Sequence, residues 1–250
     1  MTVQNLGGMT WREVKAFVHE RVVALLPLGS LEAHGPHLPL NTDVVLAVEV
    51  ARRAARQLSQ KGIDLLVWPP VVFSPAPLAS KFAGTVDLPA EAYAATLRGL
   101  LGEMAALGIR TACLVTCHLD PRHLEVVRGI AREYPGNGGL KILFPDVTQE
   151  PWRSRMPEEF RQGGFHGGRC ETAAMMALQE DKVREEIRRR LVRVEASLDE
   201  GIRQGKTHYA ECGGLQAYFG DPAAASPAEG EPVLDALAGI VSDLVVLGRA

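Results

Sequence analysis

A short segment near the start of the chain concentrates side chains that can bind metal ions or transfer protons. The stretch LPLGSLEAHGPHLPLNTD, from Leu26 to Asp43, contains one glutamate, two histidines and one aspartate among three prolines and two glycines. Carboxylates and imidazoles are the usual protein ligands of zinc, manganese and iron. Glu32 and His34 are two residues apart, so in an extended segment both side chains point to the same side. We therefore predict that they face one metal site.

A second pair of ligand-type residues follows another apolar run. The run from Arg110 to Thr116 has the character of a buried strand, and His118 and Asp120 come directly after it. In open α/β sheets, ligands bind beyond the carboxyl ends of the strands. If the two strands are neighbours, five side chains would converge at one edge of the sheet: Glu32, His34, Asp43, His118 and Asp120.

A third candidate group lies in the stretch GGFHGGRCET, from Gly163 to Thr172. His166 stands among four glycines, which allow the backbone to approach a ligand closely. Glu171 follows five residues later and would lie in the first turn of a helix, where the helix dipole favours a carboxylate in any case. His166 is therefore a candidate site residue. Glu171 could either support the site or merely stabilise the start of the helix.

The alternation of apolar runs and helical patterns indicates the elements that would position these groups. Four short apolar runs bounded by proline, glycine or polar residues read as buried strands, at 22–27, 63–68, 110–116 and 140–144. Helices are predicted at about 11–19, 43–60, 90–107, 121–133 and 232–247, and residues 170–190 are predicted to be helical, as one helix or as two. Strands that alternate with helices are typical of α/β proteins. We predict a single three-layer αβα domain, residues 1–250, with a mostly parallel sheet.

The composition excludes several classes of protein. The chain has 250 residues, 46% of them hydrophobic, and a net charge of −3, so a sizeable core is expected without a charge bias towards nucleic acid or membranes. The longest apolar runs are too short to span a bilayer. No secretory signal is visible, so we expect a cytoplasmic protein whose four cysteines stay reduced.

Four stretches, in order, resemble the signatures of the creatininase (creatinine amidohydrolase) family. GSLEAHGPHLPLNTD is similar to the family pattern GSxEQHGPHLPLxTD, and FAGT at 82–85 resembles FPGT. CHLD stands where the family has GHGGN or GHYEN, and HGGRCET resembles HAGExET. The similarity extends from about residue 10 to about residue 180. It implies a creatininase-like fold and a homo-oligomer, commonly a hexamer.

The resemblance also implies a two-metal amidohydrolase that uses a metal-activated hydroxide to cleave a C–N bond of a small amide, which could be cyclic or a formyl amide. One divalent ion would be held by Glu32, Asp43 and His118, and the other by His34, Asp43 and Asp120, so that Asp43 bridges them. His166 would carry a proton to the leaving nitrogen. The expected ions are Zn²⁺ and Mn²⁺, with Fe²⁺ also compatible.

Several positions depart from the family pattern. Arg169 stands where HAGExET members have a glutamate, and a guanidinium cannot bind a metal ion. Asp120 is then the local candidate to complete the second site. Leu119, not an aromatic residue, follows the metal-binding histidine. Because the groups that would hold creatinine are missing, creatinine itself is not the expected substrate.

Two alternative functions stay open at this stage. Thr116 and Pro121 replace residues usual in the family, so the chain could be a degenerate, non-catalytic relative that still binds metal. Cys117 adjoins His118, which allows a cysteine-dependent amidase. A chelator would abolish the activity of the metalloenzyme, and iodoacetamide would abolish that of the cysteine enzyme.

Overall fold

The computed structural model describes residues 2–249 and shows an α/β fold built on a five-stranded sheet. The strands are β1 (Val3–Asn5), β2 (Val23–Leu28), β3 (Leu65–Val67), β4 (Thr111–Thr116) and β5 (Lys141–Leu143). Every pair is parallel, and the order across the sheet is β1-β3-β2-β4-β5. Met1 and Ala250, the ends of the predicted domain, lie outside the described residues.

Ten α-helices surround the sheet in the described part of the chain. They are α1 (Trp11–Phe17), α2 (Thr42–Gln60), α3 (Ala90–Ala106), α4 (Pro121–Glu133), α5 (Glu158–Arg161), α6 (Arg169–Gln179), α7 (Glu185–Arg188), α8 (Leu198–Arg203), α9 (Tyr209–Cys212) and α10 (Pro227–Arg249). Short 3-10 turns lie at Leu6–Gly8, Pro77–Ala79, Arg153–Arg155, Glu180–Lys182 and Pro222–Ala224. None of the helices within residues 2–249 is both long enough and apolar enough to cross a bilayer.

The central strand β2 shows why helices cover both faces of the sheet. All six of its residues are buried. Val23 and Leu25 belong to the core that α2, α6 and α10 cover, whereas Ala24 and Leu26 belong to the core beneath α3 and α4. Because successive side chains of a strand point to opposite faces, a strand buried on both sides needs a continuous apolar run. The predicted three-layer α/β fold is confirmed.

The structure adds elements that the sequence did not predict. Strand β1 was not predicted, because a three-residue edge strand has no apolar pattern of its own and is defined by its pairing with β3. The short helices α5, α8 and α9 were not predicted either, whereas the helical stretch at 170–190 consists of two helices, α6 and α7, joined by a 3-10 turn. Helix α10 begins at Pro227, so Pro232 lies inside it. The packing of α10 against α2 and α6 outweighs the backbone hydrogen bond that a proline removes.

Strands β2 and β4 are neighbours, and this places the two predicted clusters at one edge of the sheet. Their register runs from the pair Val23 and Thr111 to the pair Leu28 and Thr116. Both strands therefore end at the same level. The segment after β2 and the segment after β4 leave the sheet side by side, as the sequence argument required.

Gly29 joins β2 to the segment that contains Glu32 and His34, and it is closely covered by helix α2. A Cβ atom at this position would lie 2.7 Å from Val44 Cα and 2.8 Å from Val44 N. Contacts that short to backbone atoms cannot be relieved by a side-chain rotation. The absence of a side chain thus allows the first turn of α2, which contains Asp43, to lie against the end of β2.

Replacing Gly29 by Ala should push the start of α2 away from the sheet and destabilise the fold by about 1–3 kcal/mol. For a chain of this size, that corresponds to a fall in melting temperature of about 2–4 °C per kcal/mol. Gly99→Ala is the matched control, because Gly99 lies on the exposed side of α3 and a Cβ atom there would meet open space. The control should be neutral or stabilising, and an equal loss in both variants would contradict the explanation.

Candidate metal centre

Six ionisable side chains meet beyond the ends of β2 and β4. They come from the segment after β2, the first turn of α2, the segment after β4, and the glycine-rich segment that leads into α6: Glu32, His34, Asp43, His118, His166 and Glu171. The first five residues are at most 5% exposed, and the Glu171 side chain is 15% exposed. So many buried carboxylates and imidazoles are rarely found together unless they bind an ion or do chemistry.

The segment that presents Glu32 and His34 is held in a closed turn by backbone hydrogen bonds. Glu32 N donates to Leu40 O at 3.0 Å, and Gly35 N donates to Ala217 O at 2.7 Å. Gly35 has a φ of 69°, a conformation that glycine adopts without strain. The prolines of this segment have no amide proton to satisfy, so a loop without helix or strand can be buried here.

The first group of ligand atoms comes from Glu32, Asp43 and His118. His118 Nδ1 lies 3.1 Å from Glu32 Oε1 and 3.1 Å from Asp43 Oδ2. The three ligand atoms lie within 4.8 Å of one another, a spacing at which a single ion can contact all of them. These are the three residues that the family resemblance assigned to one metal.

The second group consists of His34, Asp43 and Glu171. His34 Nε2 lies 3.2 Å from Asp43 Oδ1 and 3.7 Å from Glu171 Oε2, and the three ligand atoms again lie within 4.8 Å of one another. Asp43 belongs to both groups and presents one oxygen to each histidine, Oδ2 to His118 and Oδ1 to His34. This is the arrangement expected of a bridging carboxylate.

Each histidine of the cluster is oriented by a backbone carbonyl. His34 Nδ1 lies 3.1 Å from Glu32 O, and His118 Nε2 lies 2.8 Å from Pro75 O. A carbonyl can only accept, so these nitrogens are the N–H donors. The other ring nitrogens, His34 Nε2 and His118 Nδ1, are left to face the carboxylates. Metal-binding histidines are commonly fixed in this way.

Several buried atoms of the cluster have no well-aligned hydrogen bond. Among the described residues, Glu32 Oε2, His34 Nε2 and Asp43 Oδ2 lack such a partner, although His34 and His118 lie near Asp43. An unsatisfied buried polar atom costs about 1–3 kcal/mol. Divalent cations held by the first and second groups would give these atoms partners, so the residues present fit a metal site.

The pKa values of the cluster indicate that its carboxylates need nearby positive charge. Burial alone would lower the pKa of His34, but the carboxylates of Asp43 and Glu171 outweigh it and raise this pKa to about 10. Burial alone would raise the pKa of Asp43, yet the nearby His34 and His118 keep it well below its usual range. Burial raises the pKa of Glu171 to about 8, against the opposing charge of His34. Protons thus occupy positions where a cation would bind.

Asp120, predicted to complete the second metal site, belongs neither to these two groups nor to the third ligand group found among residues 2–249, which consists of Glu32, His34 and His166. Its Oδ1 accepts from Arg122 N at 2.8 Å, and its Oδ2 accepts from Leu78 N at 3.2 Å. It therefore caps helix α4 and secures the neighbouring loop. The structure brings Glu171, not Asp120, next to His34. The reason is that an aspartate followed by proline at a helix start directs its short side chain to the helix backbone.

His166, the predicted proton carrier, lies against the cluster in a fixed orientation. Its Nε2 lies 2.9 Å from Ala33 O and therefore donates, which leaves Nδ1 as an acceptor 3.7 Å from Glu32 Oε1. Thr85 Oγ1 in turn accepts from Ala33 N at 3.1 Å. The FAGT stretch thus positions the residue that orients His166.

Tyr209 is a site residue that the sequence analysis missed. Its hydroxyl lies 3.2 Å from His166 Nδ1, and its ring stacks on the imidazole with centroids 4.2 Å apart. Burial, together with the carboxylate of Glu32, raises the pKa of Tyr209 well above its usual value. The hydroxyl therefore stays protonated and donates to His166. No local motif surrounds Tyr209, so the sequence offered no signal for it.

Cys117 lines the cavity beside the cluster but is not an activated nucleophile. Burial raises its pKa well above the usual range, and the charges of Asp43 and Glu171 raise it further. Because the thiolate is the reactive form of cysteine, this environment suppresses the chemistry that a cysteine-dependent amidase needs.

The chain is similar to known proteins of one family. A family model described as creatininase, creatinine amidohydrolase, matches residues 7–245. The creatinine amidohydrolase of Pseudomonas putida is 31% identical over 195 residues, which cover 71% of this chain and 73% of that protein. The mycofactocin precursor peptide peptidase of Mycobacterium tuberculosis H37Rv is 31% identical over 225 residues, 85% and 80% of the two chains. A solved structure of manganese creatininase superposes with a TM-score of 0.73 at 24% identity, over 98% of each chain.

Exchanging Glu171 for Gln should remove about one bound divalent ion per chain, because Gln lacks the charge of the second group. Asp120→Asn is the matched variant, and we expect it to retain the metal and to lose about 1 kcal/mol of stability through its weakened hydrogen bonds. Elemental analysis after dialysis measures the bound metal, and thermal unfolding measures the change in stability. Loss of metal in the Asp120 variant alone would restore the original ligand prediction.

Replacing Tyr209 by Phe should lower kcat about 2- to 10-fold, the worth of one hydrogen bond, while KM and the melting temperature change little. Tyr93→Phe is the control, because the Tyr93 hydroxyl is buried without a hydrogen-bond partner among the described residues. Steady-state kinetics on both variants distinguish a role of the Tyr209 hydroxyl at His166 from a merely structural role. An equal effect of both substitutions would argue for a merely structural role of Tyr209.

Proposed function

The chain belongs to the creatininase family of metal-dependent amidohydrolases, and from this we propose that it hydrolyses a C–N bond of a small amide with two divalent cations. The observation that carries this proposal is the position of Asp43, which presents one carboxylate oxygen to His118 and the other to His34. Zn²⁺ and Mn²⁺ suit such a set of carboxylates and imidazoles, and Fe²⁺ is compatible with it.

The tasks of the chain's residues can be separated. When bound, two divalent cations lower the pKa of a water molecule and polarise the amide carbonyl. The residues assigned to the first ion are Glu32, Asp43 and His118, and those assigned to the second are His34, Asp43 and Glu171. The carbonyls that orient the two histidines keep their free nitrogens facing the Asp43 carboxylate, where they would be available to hold the ions.

His166 is assigned the proton transfers. Amide cleavage is complete only when the leaving nitrogen receives a proton, which general acid–base help accelerates typically about 10²–10⁴-fold. Burial and the charge of His34 keep the pKa of His166 well below its usual range, so the resting ring is neutral. Its acceptor nitrogen Nδ1 receives the hydrogen bond of the Tyr209 hydroxyl, so the hydroxyl would have to turn away before Nδ1 could take a proton from the attacking water. The same nitrogen can then pass that proton to the leaving amine, with the Tyr209 hydroxyl beside it.

The nature of the amide is the finer part of the proposal. Leu119 and Phe165 line the cavity at the cluster, and neither can hydrogen-bond the polar ring of creatinine, so we favour another small amide. A peptide bond is the second candidate, since the mycofactocin precursor peptide peptidase of Mycobacterium tuberculosis H37Rv matches 85% of this chain, against 71% for the Pseudomonas enzyme. The cytoplasmic location and the homo-oligomer stay predictions.

Removing the metal should abolish hydrolysis and lower the melting temperature, because the buried carboxylates then repel one another. The test is to dialyse the protein against a chelator, to restore Zn²⁺ or Mn²⁺, and to follow the release of amines from small amides, lactams and short peptides. His118→Ala should lose both metal and turnover. The exposed His19, changed to Ala, is the matched control and should behave as the parent. Full activity after verified removal of all metal would rule out the proposed function.

A further inference from the structure

A small apolar cavity, here called the apolar pocket, adjoins the metal cluster. Its volume is about 40 Å³, and its apolar wall includes Leu119, Met156, Phe160, Phe165, Ala174 and Leu237. The rings of Phe160 and Phe165 pack with centroids 5.1 Å apart and form one side of it. Four of its lining residues also line the cavity at the metal cluster: Cys117, Leu119, Phe165 and Glu171. The two cavities are therefore adjacent, and a molecule at the cluster would lie against side chains that also line the apolar pocket.

The wall of the apolar pocket offers little to a polar substituent. Thr116 Oγ1 is already bonded to the backbone of His118 and faces His123 Nε2 at 3.1 Å. Glu171 Oε2 accepts from Gly167 N and lies towards His34. A polar group in this space would lose its water without gaining a partner, which is costly. An aliphatic group would gain from burial.

The position of His166 decides which side of an amide faces the apolar pocket. His166 and Tyr209 line the cavity at the cluster, but neither lines the apolar pocket. The leaving nitrogen must lie at His166 to receive its proton. The acyl side of the scissile bond then points away from His166, towards the wall shared with the apolar pocket.

We propose that the apolar pocket binds a small aliphatic substituent on the acyl side of the scissile amide. The substrate class is thus an amide of a short, aliphatic carboxylic acid, or a peptide bond whose carbonyl belongs to a residue with a small aliphatic side chain. This inference rests on the proposed function, because the cluster and His166 define the two sides of the bond.

Binding of hydroxamic acids to the metal-loaded protein tests the proposal without turnover, since hydroxamates chelate metal ions and carry a variable acyl group. Each methylene moved into an apolar site tightens binding about fourfold, so isobutyrohydroxamate should bind at least tenfold more tightly than formohydroxamate. The isomers propionohydroxamate and N-methylacetohydroxamate have the same atoms, with one methyl group on the acyl or the nitrogen side. The acyl isomer should bind more tightly in calorimetric titrations.

Variants that fill the apolar pocket provide the second arm of the test. Ala174→Val and Leu237→Phe should weaken binding of isobutyrohydroxamate at least tenfold more than that of formohydroxamate. The two positions lie on different helices, so failure of one variant to fold leaves the other. Leu247→Phe, on the exposed side of α10, is the matched control and should retain the parent's preference.

The possible outcomes separate the two proposals. Tight binding that does not depend on the acyl group, or a preference for the N-methyl isomer, would contradict the apolar pocket and leave the metal centre intact. Failure of the metal-loaded protein to bind any hydroxamate would contradict the proposed function, and the pocket assignment with it. An acyl preference that the filling variants remove supports the proposal.

Discussion

The buried carboxylate of Asp43, placed between two histidines, is the interaction on which the site depends. Its two oxygens face His34 and His118, while Glu32 and Glu171 add negative charge that two imidazoles cannot balance alone. A buried charge is tolerated only when it is paired. The cluster is therefore a stable arrangement only with added positive charge, from protons or from divalent cations, and this requirement ties folding of the site to metal binding.

The scaffold places these charges by bringing backbone elements very close together. Gly29 lets the first turn of α2, with Asp43, lie against the end of β2. The neighbouring strand β4 then brings His118 to the same edge of the sheet. The C-terminal part of the chain encloses the cluster through Tyr209, which contacts His166, and through Leu237 of α10, which lines the apolar pocket.

Much of the fold could be predicted from the sequence because its central elements have strong local patterns. Strand β2 is a continuous apolar run and β4 has a similar one, and helices α2, α3 and α4 end at glycine or begin at proline or a capping residue. The order of the strands and the edge strand β1 could not be predicted from these patterns. Strand order depends on which strands pair, and pairing of β1 with β3 joins segments about sixty residues apart.

The sequence by itself determined which side chains meet in the candidate metal centre, for five of its six members: Glu32, His34, Asp43, His118 and His166 all lie in the cluster. Motif spacing and strand ends are local properties, so they could be read directly. Only the tertiary structure decided that Glu171 joins this cluster while Asp120 caps a helix, and that Tyr209 contacts His166. The reason is geometric: a side chain's partner depends on how helices pack and where each rotamer points, and residues adjacent in sequence can face opposite surroundings.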